Sequence, residues 1–204
     1  LKRWVTINSQ TLSANTDKEF LFDYIDIGSV GTGYHVHPPQ RISFGSSPSR
    51  ARRIVHEGDT IISTVRTYLK AVLFITNLSF PTIVSTGFAV LSPRKGIIPE
   101  YLGYVIQSSN FVDRVTANSI GVDYPAINQT KLSSLKIAIP PIEEQREIID
   151  DIKKKTHFMD TRIQKLSREI EFMKEYRTRI FADIIVGRFT VIDTVSKLPI
   201  EPIV

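Results

Sequence analysis

The longest uninterrupted pattern in the sequence is residues 141–185, PIEEQREIIDDIKKKTHFMDTRIQKLSREIEFMKEYRTRIFADII, with neither glycine nor proline after the first position. Steps of alternately four and three residues from Gln145 to Ile184 follow the a/d seam of a coiled coil and predict one long helix. At about 1.5 Å per residue it would be roughly 65 Å long, too long for a domain of this size to cover. We therefore expect it to pair with another helix through Ile149, Ile152, Met159, Ile163, Leu166, Ile170, Met173, Ile180 and Ile184.

Both ends of this helix are marked in the sequence. The pair Pro140-Pro141 suits a first helical turn, and Glu143 and Glu144 complement the positive end of the helix dipole. Gly187 suits the left-handed residue that closes a helix. The expected organisation is a globular domain over 1–140, a spacer or dimerisation helix over 141–187, and a C-terminal strand and tail over 188–204.

Composition favours an ordinary soluble protein. The sequence has 42% apolar residues and no cysteine, which excludes disulfides and thiolate metal sites and makes a reducing cytoplasm the simplest location. No stretch resembles a membrane span or a signal peptide, and because the chain starts at LKRWVT without methionine we expect it to be trimmed.

The net charge of +5 is unevenly distributed along the chain. Residues 141–185 have ten basic and ten acidic side chains, whereas residues 1–140 have fourteen basic and nine acidic ones. Most of the excess lies between Arg41 and Lys70. A local positive patch indicates a polyanionic partner, although a basic surface kept for solubility explains it as well.

Residues 1–140 read as a mixed domain in which strands dominate. We expect helices over 99–108 and 109–115, a loop over 118–125 and a short turn over 128–135. Strands are expected over 20–27, 53–55, 60–65, 71–76, 83–85, 87–91 and 135–139. The predicted fold class is α+β, a β-rich globular domain followed by one long coiled-coil α-helix.

Three segments are candidates for contact with nucleic acid. The run FGSSPSRARR, 44–53, combines hydroxyls with arginines that suit phosphates and guanine edges. In an extended chain, residues 64, 66, 68 and 70 would share one face, and residues 118–123 form a polar loop. A solvated loop explains the first segment nearly as well, and a connecting loop without function explains the third equally well. The candidate residues are Arg50, Arg52, Arg53, Arg66, Tyr68 and Lys70, followed by Ser47, Ser63, Thr64, Asn118 and Tyr124.

Catalytic patterns are weak. His35 and His37 would share a strand face, but a surface pair is a better interpretation than a metal site, because no cysteine or carboxylate pair completes a ligand set. The glycines at 28, 31 and 33 do not form a dinucleotide or phosphate-binding motif. We expect no catalytic residue, no metal and no cofactor.

Several segments resemble the specificity subunit of type I restriction–modification systems. The segment LKIAIPPIEEQREIIDDI, 135–152, resembles the entry of that family into its spacer helix, and KEYRTRIFADIIVGRFTV, 174–191, resembles a second recurring block. The segments 58–74 and 85–108 are similar to weaker motifs of its target recognition domain.

The resemblance implies a DNA-recognition subunit without catalytic activity of its own, which directs methyltransferase and restriction partners to a bipartite site. Such subunits have two recognition domains separated by two antiparallel helices, whereas this sequence has one of each. Either it is a half-sized subunit that forms a homodimer, or it is part of a longer chain. The alternatives are a coiled-coil adaptor with an incidental basic patch and, less favoured, a degenerate nuclease.

Overall fold

The computed structural model describes residues 1–187, which fall into two compact units divided between Asp150 and Asp151. The first unit contains eight strands in two four-stranded sheets. The strands are β1 Val5–Ile7, β2 Leu21–Ile25, β3 Gln40–Ser43, β4 Ala51–Val55, β5 Thr60–Ser63, β6 Val72–Phe74, β7 Thr82–Ser85 and β8 Phe88–Pro93.

The first sheet has the order β1-β8-β5-β6 and is antiparallel throughout. The second has the order β3-β2-β7-β4, with β2 and β7 parallel and the other pairs antiparallel. β5 and β7 are buried along their whole length, as expected for central strands that are covered on both faces.

Four α-helices complete the described chain: α1 Pro99–Gln107, α2 Ser109–Ala117, α3 Gln129–Ser134 and α4 Ile142–Ile185. Proline occupies the first turn of α1, where its missing N–H costs no hydrogen bond. α2 and α3 are capped by the side chains of Ser108 and Asn128, which accept from Phe111 N and Lys131 N. Short 3₁₀ turns cover Ile27–Ser29, Phe44–Ser46 and Thr67–Leu69.

The main core lies between the first sheet and the helices α1 to α3. Leu102, Ile106, Phe111 and Leu132 are almost completely buried there together with residues of β5 and β8. A second cluster joins the two sheets, and a smaller one lies around Phe22 in the second sheet. Hydrophobic burial of β5 and β8 therefore fixes the positions of the strand ends from which the candidate site, described below, is built.

The first turns of α4 belong to this globular unit and are held there by Gln145. Its side chain is completely buried, accepts a hydrogen bond from Ile98 N (2.8 Å) and donates to the carbonyl oxygens of Gly96 (3.2 Å) and Pro140 (2.9 Å). Ile149 is also buried in the main core. The prediction that Ile149 pairs with another helix is therefore wrong, because its apolar surface is already covered by its own domain.

Most of the expected strands and helices are present in the structure, although their bounds differ by one or two residues. Residues 135–139 form no strand, the short turn over 128–135 is the helix α3, and β1 and β3 were not predicted. Residues 60–65 are strand only as far as Ser63. The strand expected within 188–204 lies outside the described residues.

Beyond Asp150, α4 continues without interruption to Ile185. Its predicted pairing residues Ile163, Leu166 and Ile170 are 46–60% exposed, and Met159 and Met173 are 63% and 73% exposed. Ile152, Ile180 and Ile184 are partly exposed. This second unit therefore presents a row of apolar side chains that the described chain leaves largely uncovered.

Candidate nucleic-acid interface

The candidate site is built on the rigid 3₁₀ turn Thr67–Leu69, which follows β5. Thr67 is 2% exposed, its hydroxyl donates to Ser119 Oγ (2.8 Å), and its N–H donates to Pro125 O (3.4 Å). The residues on either side, Arg66 and Lys70, both have φ of 50° and lie in the left-handed region. That conformation costs about 1 kcal/mol or more for a residue with a side chain, so the surrounding contacts must hold it.

Arg66 has the most available guanidinium group of the predicted site residues. Its Cζ lies 5.0 Å from the centre of the Tyr124 ring, and no carboxylate or carbonyl within residues 1–187 pairs with it. Stacking on an aromatic ring restricts the guanidinium plane while its N–H edges remain free. Such a fork matches the O6 and N7 acceptors of guanine or the oxygens of a phosphate.

Arg66 and Tyr124 share a cleft of about 470 Å³ with Arg50, which directly precedes β4 of the second sheet. Arg50 Nε lies 3.4 Å from Asp26 Oδ1, and hydrogen bonding to Tyr24, followed by the charge of Asp26, raises the pKa of Arg50. Burial is the main cause that raises the pKa of Tyr24, although hydrogen bonds from Arg50 and Ser85 oppose it. Both hydroxyl and guanidinium therefore keep their protons at neutral pH.

Gly87 lies at the bottom of the cleft, where it has no room for a side chain. A Cβ atom there would lie 2.3 Å from Ile27 Cδ1 and 3.0 Å from Val65 Cγ2. The Gly87 carbonyl also accepts from the backbone N–H and the hydroxyl of Thr64. This close approach joins the end of β5 to the start of β8 and sets the position of the segment that contains Arg66.

Tyr124 lies on a short hairpin, Ile120 to Ala126, which we call the tip loop. Ile120 and Ala126 exchange both backbone hydrogen bonds (2.9 Å each), and Ile127 N donates to Thr64 O (2.9 Å). Gly121 has φ of 114°, a conformation that favours glycine. The base of the loop is thus fixed to the same segment that contains Arg66.

A second cleft, of about 660 Å³, lies on the other side of the tip loop and contains Thr64, Asn118 and Lys131. Asn118 donates through Nδ2 to Arg114 O (2.8 Å), so its amide mainly closes the C-terminal end of α2. Lys70 forms an exposed ion pair with Asp113 (2.8 Å), and Tyr68 is half exposed beside it.

The remaining predicted residues lie elsewhere or are occupied. Ser63 is 2% exposed, which makes its proposed DNA contact wrong. Ser47 donates to Phe44 O (2.8 Å), and Arg52 stacks on the Phe44 ring and donates to Ala51 O. Arg53 is partly buried, which lowers its pKa, and within the described chain its Nη1 has no acceptor. None of these four residues lines the Arg50–Arg66 cleft.

The predicted row of residues 64, 66, 68 and 70 on one strand face is also wrong. β5 ends at Ser63 and the chain turns through Thr67–Leu69, so these side chains do not alternate. Sequence reasoning missed Tyr24 and Asp26, which bind Arg50, and the exposed apolar residues Ile120 and Val122. A loop over 118–125 was predicted, and Gly121 and Pro125, four residues apart, mark the tip loop within it.

The described part of the chain has neither a cluster of metal ligands nor a membrane-spanning helix. No group of three or more histidine, aspartate or glutamate side chains in it is arranged to hold a metal ion. None of its helices has the length and apolar character needed to cross a membrane. Burial lowers the pKa of His35, which lines a groove with Tyr34 and Arg41, away from the candidate site.

The described chain thus combines a two-sheet α+β domain, in which Arg50 and Arg66 line one cleft, with a long helix whose apolar side chains are largely exposed. The sequence profile described as "Type I restriction modification DNA specificity domain" matches residues 6–171. The chain therefore belongs to that family.

Curated relatives agree with this assignment. The chain is 27% identical over 158 residues to the type I restriction enzyme HindI specificity subunit of Haemophilus influenzae, a match that covers 73% of this chain and 34% of the relative. It is 25% identical over 129 residues to the MjaIX specificity subunit of Methanocaldococcus jannaschii, covering 63% and 28%. The chain thus matches about a third of the length of these relatives.

Solved structures share the fold. The HsdS subunit from Thermoanaerobacter tengcongensis superposes with a TM-score of 0.65 at 24% identity, covering 96% of this chain and 48% of that one. The S subunit from M. genitalium gives 0.57 at 13% identity, covering 89% and 43%. These similarities confirm the α+β class and the long terminal helix, and this chain spans about half of those structures.

Proposed function

We propose that this chain recognises DNA sequence for a type I restriction–modification complex and is not itself catalytic. Its globular domain would read one half of a bipartite site in double-stranded DNA. The observation that supports this best is Arg66, because its guanidinium is oriented by Tyr124 and left without a carboxylate partner among residues 1–187. A guanidinium held in this way can read a base edge at low entropic cost.

The long helix would pair with a second helix and set the distance between two recognition domains. About 65 Å of helix corresponds to roughly nineteen base pairs of 3.4 Å rise. Because the chain spans 48% of the HsdS structure, the second half would come from a second copy or from another specificity segment. Two identical copies would read an interrupted palindrome, since a twofold protein mirrors its symmetry in the target.

Methyltransferase and restriction subunits would be the partners that perform chemistry, and the complex would act in the cytoplasm. The outer faces of α4 carry alternating charges, as at Lys165, Glu169 and Glu171, and would provide docking surface. An exposed helix stabilised by its own charge pairs explains the same residues, so this contact is best tested with purified subunits.

The first experiment is selection of bound duplexes from a random library, followed by affinity measurement on the selected and scrambled duplexes. We expect clear preference for the selected sequence. Arg66→Ala should weaken binding to it by about 1–3 kcal/mol and relax the preference at one base pair if Arg66 reads a base. If Arg66 contacts only phosphate, binding to both duplexes should weaken alike.

The matched control is Lys95→Ala, which removes an exposed positive charge after the far end of β8, remote from Gly87. It should leave the preference unchanged. Equal affinity of the unmodified chain for selected and scrambled duplexes at physiological salt would contradict the proposed function.

A coiled-coil adaptor is the second candidate, and the exposed apolar side chains of α4 favour it. It would form salt-insensitive protein complexes without DNA, whereas DNA binding through phosphates weakens steeply with salt. The salt dependence of complex formation therefore separates the two functions.

A further inference from the structure

The tip loop exposes two large apolar side chains, one at its base and one near its end. Val122 is 96% exposed and Ile120 is 82% exposed, whereas the base of the loop is fixed by the Ile120–Ala126 backbone pair and by Pro125 O, which accepts from Thr67 N. Neither side chain belongs to a core cluster of the described chain. Rigidly held and uncovered apolar groups mark contact surfaces more often than scattered surface residues do.

The neighbours of these side chains indicate what they contact. Tyr124 in the same loop stacks on Arg66, so one segment presents an oriented guanidinium beside apolar groups. Asp123, which is also exposed, would repel phosphates at the tip. A mixture of apolar groups, a carboxylate and a guanidinium suits base edges in the major groove better than the sugar–phosphate backbone.

We propose that the tip loop enters the major groove and that Val122 packs against the 5-methyl group of a thymine, next to the base pair read by Arg66. The thymine methyl is the apolar feature of the major groove, and apolar side-chain groups recognise it by direct contact. This inference rests on the proposed function and adds to it a specificity-determining residue that lies outside the basic patch. The loop contributes a second kind of contact, apolar rather than hydrogen-bonded.

The test combines a side-chain truncation with removal of the DNA methyl group. The full chain and its Val122→Ala variant are titrated with the selected duplex and with duplexes in which each thymine is replaced in turn by uracil, which removes the methyl group and retains pairing. One replacement should weaken the unmodified chain about fourfold, the effect of about one buried methyl group. The same replacement should leave Val122→Ala unaffected.

Because Val122 is almost fully exposed, its truncation should not change folding, which thermal melting of the variant checks. Thr130→Ala, which truncates an exposed side chain of α3, is the control. It should retain the loss of affinity on replacement of thymine by uracil. The proposal is overturned if no thymine position matters, or if Val122→Ala keeps the full sensitivity. It is also overturned if the variant binds DNA normally but loses affinity for a type I methyltransferase subunit, because the loop would then be a protein-docking site.

Failure of the proposed function gives a different result. In that case the unmodified chain shows no preference for any duplex, so no selected sequence emerges. A selected sequence that depends on Arg66 but not on any thymine methyl group would retain the proposed function and reject only this inference.

Discussion

Phenylalanine side chains are buried in the globular unit and exposed in the helix beyond Asp150. Phe22, Phe88 and Phe111 of the globular unit are at most 1% exposed, whereas Phe158, Phe172 and Phe181 of α4 are 76%, 67% and 58% exposed. The globular unit covers its apolar residues with its own sheets and helices, which is how a domain stabilises itself. The helix beyond Asp150 leaves its own apolar residues open, so its sequence is suited to a surface that the described chain does not provide.

The largest expected effect comes from truncating one phenylalanine in each unit. Phe111→Ala should lower the free energy of unfolding of the globular unit by about 3–5 kcal/mol, because it opens a cavity in the main core. Phe172→Ala should change it by less than about 0.5 kcal/mol. Urea unfolding followed by the fluorescence of Trp4, the only tryptophan, reports this unit because Trp4 packs against the main core. Equal effects of the two truncations would contradict the comparison.

A smaller effect is expected where the two regions share one continuous helix. Gln145→Ala should destabilise the globular unit by about 1–3 kcal/mol, since it leaves Ile98 N and the carbonyls of Gly96 and Pro140 without their partner. Gln164→Ala changes the same residue type at an exposed position of α4 and should have almost no effect. The same urea titration measures both. A Gln145→Ala variant as stable as the parent would show that water replaces the lost hydrogen bonds.

The helix was predictable from sequence because its signal is periodic and local. Forty-five residues without an internal breaker leave little alternative to a helix, and prolines and a glycine marked its ends. The assignment of Ile149 failed for a tertiary reason. The heptad pattern is the same on both sides of Asp150, and only packing reveals that Ile149 already belongs to the main core. The strand expected at 135–139 failed similarly, since its short apolar run forms no ladder.

The sequence predicted several residues of the candidate site but not their arrangement in space. Alternation placed Arg66 and Lys70 on a strand, yet both lie beside a turn in left-handed backbone, for which arginine and lysine give no signal. Ser63 and Arg66 are three residues apart, but the end of β5 buries one and exposes the other. The contact of Arg66 with Tyr124 joins residues far apart in sequence, so no local pattern could have predicted it.

Self-association is the next test of the uncovered helix. If α4 pairs with a second copy, the chain should have a mass near twice 23.1 kDa in light scattering. Ile163→Glu should raise the dissociation constant at least about tenfold, or roughly 1.4 kcal/mol, because it places an unpaired carboxylate in an apolar seam. Lys165→Glu, outside the seam, is the control. A parent chain that stays monomeric at all concentrations would reject the homodimer and require a helix from another chain.

The smallest effect compares two exposed ion pairs, one in each unit. Lys70 pairs with Asp113 (2.8 Å) beside the candidate site, and Lys155 pairs with Asp151 (2.5 Å) within α4. Exposed pairs contribute less than about 1 kcal/mol to stability, so neither Asp113→Asn nor Asp151→Asn should alter folding measurably.

The effects of the two substitutions on DNA affinity should differ, because Asp113→Asn removes a negative charge beside the candidate site and releases Lys70. We expect about twofold tighter binding of Asp113→Asn to selected and scrambled duplexes alike, with the gain lost at high salt as screening increases. Asp151→Asn removes the same charge from the helix and should leave both affinities unchanged. If Asp151→Asn instead gave the same gain, the effect would reflect net charge alone, and the turn that holds Lys70 would not be part of the DNA-binding surface.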